Sequence, residues 1–199
     1  MNCNNPKQIS GFTLLELMIV VSLAGVLMAL AVPSFRDMIR NTRLTTYANE
    51  FVTALNLARS ESIKRGVTVS IRKNDKVTGC TPTYWSTCGW NVFVDNDADG
   101  TLDTGEEVIR TYNALPNGYT LVGSNINITN YLSYKSDGMT NVPEPGFILC
   151  DNRDGNNTIE PYTAKIIYIK VGRIRMAKDT TGDGIPENSS NVNVTSCGL

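Results

Sequence analysis

Residues 12 to 32 read FTLLELMIVVSLAGVLMALAV, and Glu16 is the only formally charged side chain in the run. A stretch of about 20 apolar residues is long enough to cross the hydrocarbon core of a bilayer as a helix. Beyond Pro33 the pattern turns amphipathic. Leu44, Tyr47, Ala48, Phe51, Leu55, Ala58 and then Ser62 or Ile63 recur at steps of three or four, while Arg36, Arg40, Arg43, Glu50, Arg59, Glu61, Lys64 and Arg65 mostly fill the other faces. The periodicity predicts one helix from about Thr13 to Lys64, bent or loosened near Gly25 and Pro33, with its second half laid against a sheet. Gly66 stands where a helix C-cap favours glycine.

Past Gly66 the period shortens. VTVSIRK, WNVFVD, EVIRTY, YTLVG, ITNYLSYKS, FILC, KIIYIKV and RIRMA are short, rich in Val, Ile, Tyr and Thr, and separated by Gly, Asn, Asp or Pro. One long helix followed by a run of antiparallel strands predicts an α+β fold.

Composition narrows the function. The 199 residues, 41% apolar and 19% charged with a formal net charge of -1, suit one folded domain with an N-terminal appendage. Histidine is absent. That removes the commonest general base and metal ligand, and no other base is matched to a nucleophile, so no catalytic site and no enzyme are expected. Near-neutral charge gives no global attraction to nucleic acid.

Five cysteines occur, at Cys3, Cys80, Cys88, Cys150 and Cys197. Loss of Cys3 with a leader leaves an even set, which outside the cytosol is best read as two disulfides. Three connectivities are open. The favoured one joins Cys80 to Cys88 across a short loop and Cys150 to Cys197, tying down the C-terminus.

Glu16 separates two readings of the apolar run. A secretory signal peptide has a basic start and a small-residue cleavage site after its apolar core. Here Lys7 is the only basic residue ahead of the run, and a Gly11-Phe12 junction precedes the core. A lone carboxylate in hydrocarbon costs on the order of 2.5 kcal/mol or more, so Glu16 needs a partner.

GFTLLELMIVV resembles the class III leader junction of type IV pilins and type II secretion pseudopilins. The resemblance implies that a prepilin peptidase cuts after Gly11 and methylates the amino group of Phe12. Glu16, fifth after the cut, would pair with that amino group on a neighbouring subunit. It further implies a cleaved leader (1–11), a transmembrane and assembly segment (12–35) and a periplasmic head (36–199) with a type IV pilin-like fold, held in the inner membrane by a single pass before joining a filament. The segment CGWNVFVDNDADG is similar to a GW.VF.D.N.DG pattern of the GspH and FimT/FimU branch of minor pilins and pseudopilins, and VGRIR resembles that branch's C-terminal strand. Two departures stand out: an insertion-like segment from Asn74 to Thr87 and a long tail after Lys178.

The expected role is a structural minor pilin that primes or joins a pilus at or near its tip, supporting motility or adhesion. A DNA-binding minor pilin and a minor pseudopilin of type II secretion are the alternatives. Implied partners are other major and minor pilins, the prepilin peptidase, the inner-membrane assembly platform and membrane lipid, with DNA added under the second reading.

Two further patterns carry chemistry of their own. DNDADGTLDTGE places Asp95, Asp97, Asp99, Asp103 and Glu106 at positions one, three, five, nine and twelve, with Gly100 at six and the Thr101 carbonyl at seven. That is the spacing with which an EF-hand loop wraps calcium. The flanks read as strands, however, and Asp, Asn and Gly also favour plain hairpin turns. No cofactor is required; calcium is the cation the spacing suggests. A second acidic turn, Asp179 to Glu187, has wider spacing and reads first as a solvated turn. On the last strand Arg173 and Arg175 alternate onto one face, where both can meet phosphates, with Lys170 and Lys178 nearby.

Overall fold

The structure is a computed structural model describing residues 11–80, 84–124, 128–153, 155, 158–188 and 192–197. The leader residues 1–10, including Cys3 and Lys7, lie outside the described residues. Two compact units divide the chain, Met1–Ile39 and Arg40–Leu199.

The helix predicted by periodicity is α1, Leu14–Arg65. In the first unit, Leu14–Val32 spans 19 residues, none of them buried. At the α-helical rise that is about 28 Å, close to the thickness of a hydrocarbon core. Leu17, Met18, Val21, Leu27 and Leu30 all stand exposed.

In the second unit the helix becomes one-sided. Leu44, Ala48, Phe51, Ala54, Leu55, Ala58 and Ser62 form its buried stripe, and Tyr47 is partly buried beside it. Ser62, rather than the half-exposed Ile63, ends the stripe; its hydroxyl donates to the Arg59 carbonyl at 2.9 Å. The helix closes at Gly66, whose φ of 71° is left-handed and whose N–H reaches the Ser62 carbonyl at 2.9 Å. A side chain there would strain the backbone.

Eight strands follow: β1 (Val69–Lys73), β2 (Trp90–Val94), β3 (Val108–Tyr112), β4 (Tyr119–Gly123), β5 (Tyr131–Tyr134), β6 (Gly146–Asp151), β7 (Ala164–Lys170) and β8 (Arg173–Met176). Each matches one predicted segment. They form two antiparallel four-stranded sheets, ordered β3-β2-β1-β5 and β4-β6-β7-β8. The division into two sheets is not written in the alternation of residues. It arises because β4 pairs with β6 while β5 returns to the free edge of β1, setting Ile71 opposite Leu132.

Both sheets meet the helix through one aromatic cluster. The Phe51 ring lies edge-on to Trp90 of β2 at 5.0 Å, Phe147 of β6 at 4.7 Å and Trp85 at 5.8 Å. Such pairs add about 0.5–1.5 kcal/mol each beyond the area they bury. Trp85 is itself tied down, its backbone N–H to the Leu121 carbonyl at 2.8 Å and its indole N–H to the Ile128 carbonyl at 3.2 Å.

The second sheet is covered on its other face too. Val122, Ile148, Cys150 and Ala164 form a separate cluster with Ile159 and Cys197, against which Tyr84, Ile185 and Val194 pack. The inserted segment supplies Tyr84 and the long tail supplies Ile185, Val194 and Cys197. Disulfides fix both departures: Cys80 is bonded to Cys88 and Cys150 to Cys197.

Truncating Phe51 to Ala removes a ring that contacts both sheets. Unfolding in urea should show a loss of about 3–5 kcal/mol, the usual range for a buried Phe, whereas a loss below about 1 kcal/mol would refute its place in the cluster.

Candidate functional site

At the start of α1 the carboxylate and its neighbour form a reciprocal cap. Glu16 Oε2 accepts the Thr13 N–H at 3.1 Å and the Thr13 hydroxyl at 3.0 Å, and Thr13 Oγ1 accepts the Glu16 N–H at 3.2 Å. This is a capping box, T-x-x-E, satisfying backbone donors that a helix N-terminus otherwise leaves open. The four-residue signature was readable at Thr13 to Glu16. Gly11 and Phe12 precede it, outside any helix, with Phe12 strongly exposed.

The acidic loop joins β2 to β3, so its flanks are strands. Asp95 is 1% exposed. Its Oδ2 accepts the Ser70 hydroxyl of β1 at 2.5 Å and the Gly100 N–H at 3.0 Å, and Ser70 in turn meets Ser133 of β5 at 2.6 Å. Oδ1 of the same carboxylate is buried with no hydrogen-bond partner. Burial pushes the Asp95 carboxyl above its usual range, against the Ser70 and Gly100 hydrogen bonds that favour its charged form, and nearby Glu106 adds to the rise. Left-handed φ angles of 62° at Ala98 and 75° at Gly100 fold the loop back on itself. Gly100 is obligatory for a second reason: a Cβ there would lie 2.2 Å from the Tyr131 ring.

Of the loop residues singled out by spacing, Asp95, Asp97 and Asp99 come together, with one carboxylate oxygen from each within 4.8 Å of the others. Asp103 and Glu106 are not in that trio. Glu106 instead clasps the loop, accepting the Asn96 N–H at 2.8 Å and the Asp103 N–H at 2.9 Å. The Thr101 N–H binds Asp99 Oδ1 at 2.5 Å. Ser70, Ser133 and Arg72, whose guanidinium reaches the Gly100 carbonyl at 2.9 Å, complete the setting. Nothing in the local spacing identifies them, because they arrive from other strands.

The second acidic turn is arranged differently. Buried Glu187 accepts the N–H groups of Thr180 and Thr181 and the Thr180 hydroxyl, and Asp179 accepts the N–H groups of Gly182 and Gly184. The Thr180 N–H and its companions hold the Glu187 carboxyl below the usual range.

On β8, Arg173 and Arg175 are exposed while Ile174 and Met176 turn inward against the core. The strand pairs only with β7 and lies at the sheet edge. Lys170 sits 3.7 Å from the Glu144 carboxylate. Arg175 and Lys178 line an open concavity of about 510 Å³ with Tyr168 and Glu187.

The family profile described as "Type II transport protein GspH" matches residues 47–165, and that of the "Prokaryotic N-terminal methylation motif" matches residues 6–32. A fimbrial protein of Pseudomonas aeruginosa is 43% identical over 60 residues, covering 30% of this chain and 38% of that protein. The pilin-like protein PilA1 of Thermus thermophilus is 32% identical over 102 residues, covering 51% of this chain and 58% of its own length. The chain thus spans less than two thirds of these curated relatives. The crystal structure of the type IV minor pilin FimU from Pseudomonas aeruginosa shares the fold, with a TM-score of 0.53 and 23% identity over 78% of this chain and 96% of that one. With the GspH profile spanning more than half of the sequence and the methylation motif at its start, the chain belongs to the family of the type II transport protein GspH.

Proposed function

We propose that this protein is a structural minor pilin that primes or joins a type IV pilus at or near its tip. The observation that carries the reading is Leu14–Val32, a helical stretch apolar on every side and unburied, with its one carboxylate in the first turn. A helix of that kind demands lipid or other helices around it. On this reading a prepilin peptidase removes residues 1–11 and methylates Phe12, residues 12–35 stay in the inner membrane, and the head (36–199) folds in the periplasm. Extraction into the filament then replaces lipid contacts with contacts to neighbouring pilins.

Glu16 supplies register. In the free chain its carboxylate is held by Thr13. Cleavage adds a charged amino group at Phe12, and pairing with that group on a neighbour compensates the carboxylate where no water can reach it. The subunit therefore acts by packing rather than catalysis.

Exposed arginines on an edge strand favour a second reading, DNA capture. Arg173 and Arg175 present two cations on one face, and contacts to phosphate release counterions and so weaken with salt.

Replacing Glu16 by Ala should leave processing intact, seen as mature-size protein on a gel, while the subunit's share of sheared filaments falls severalfold. Normal incorporation would sink the assembly role, and a protein-secretion defect without a pilus defect would assign the chain to a type II secretion pseudopilus. For the DNA reading, duplex binding by the purified protein should weaken steeply across a salt series and disappear in an Arg173→Ala, Arg175→Ala double variant. Binding unchanged in that variant, or none at low salt, would remove it.

A further inference from the structure

The β2–β3 loop leaves one polar atom unexplained. Asp95 is anchored through Oδ2 to Ser70 and Gly100, with the Ala98 backbone also favouring its charged form, yet Oδ1 makes no hydrogen bond. Buried oxygens are nearly always paired, and an exception asks for an ordered water or an ion. Around Asp95 stand Asp97 and Asp99, both exposed and each offering a carboxylate oxygen within 4.8 Å of the trio's other two. Two oxygens bound to one calcium at about 2.4 Å can be at most about 4.8 Å apart, so the separations suit that ion.

We propose that this loop is a calcium site in which the carboxylates of Asp95, Asp97 and Asp99 hold the ion, with the partnerless Oδ1 of Asp95 as the inner ligand. Water completes the coordination on the exposed side. Arg72 faces the loop, and its charge is compensated by Asp75 at 3.0 Å while it holds the Gly100 carbonyl. Oxygen-only ligands select a hard cation, and calcium accepts irregular oxygen sets that magnesium, which demands a stricter octahedron at shorter distance, does not. The tail supplies an internal contrast. Its acidic turn follows a similar Asp/Gly pattern, but Asp179 and Glu187 belong to no converging carboxylate trio and leave no buried oxygen unpaired. Only the β2–β3 loop combines converging carboxylates with an unpaired buried oxygen among the described residues.

The ion would act beyond its loop. Asp95 links through Ser70 to Ser133, and its own N–H binds the Thr68 carbonyl at 3.0 Å. Calcium would therefore join the β2–β3 hairpin to β1 and β5, stiffening one face of the head. This proposal stands independently of the filament the protein serves.

Calorimetric titration of calcium into the full chain, purified in detergent and stripped with EDTA, should give a dissociation constant on the order of 10⁻⁴–10⁻³ M, the range of extracellular modules. An Asp97→Asn, Asp99→Asn double variant keeps the acceptor oxygen used by the Thr101 N–H and should melt like the unmodified protein in EDTA. Its calcium affinity should fall by about tenfold or more. Hydrogen exchange on the unmodified protein gives a second readout that needs no variant: calcium should slow exchange within residues 95–106. Absence of heat and of protection at about 10 mM calcium would overturn the site, as would binding that survives both substitutions or protects only another segment.

Discussion

The structure depends on how α1 meets two different surroundings. Along Leu14–Val32 apolar side chains point in every direction and none is buried by the chain. From Leu44 onward one apolar stripe is buried against the head, while Ile63 beside it stands half-exposed. The backbone of either stretch satisfies itself through helical hydrogen bonds, which is the condition for a segment to pass from lipid into a packed protein environment. Side-chain composition alone sets the difference. Glu16 fits this scheme because it enters at the helix terminus, where Thr13 offers two donors and the open N–H groups favour negative charge.

The head is organised by what the covered stripe touches. Phe51 contacts an aromatic residue from each sheet, so neither sheet packs against the helix independently of the other. β6 goes further and is buried on both faces, Phe147 and Leu149 towards the main core and Ile148 and Cys150 towards the tail. This explains why the inserted segment and the tail belong to the fold rather than decorating it. They cover apolar surface that a pilin-like sheet with fewer additions would present to solvent, and the Cys150–Cys197 disulfide keeps the cover in place.

Much of this was legible in the chain. The eight strands could be read from alternation and turn residues, and the helix from its change of periodicity, because both signals are local. Sheet membership could not be read, since the pairing of β1 with β5 joins segments some sixty residues apart and depends on which edge remains free. The same limit applies to the acidic loop. Spacing singled out six residues around Asp95 to Glu106, but burial of Asp95 depends on Ser70 and Ser133, and the clasp formed by Glu106 depends on how the hairpin closes. At Ser62 and Ile63 helical periodicity left two choices, and packing selected the smaller, hydrogen-bonded side chain.

Whether the apolar stretch stays with the mature protein decides the whole account. The direct measurement is the N-terminal peptide mass of the protein recovered from sheared surface filaments and from the periplasmic fraction. The expected product is a chain beginning at N-methylated Phe12, present in the filaments and in membranes. A mature chain beginning after Val32 and found free in the periplasm would contradict it, because the segment would then be a discarded signal and α1 would have no assembly surface.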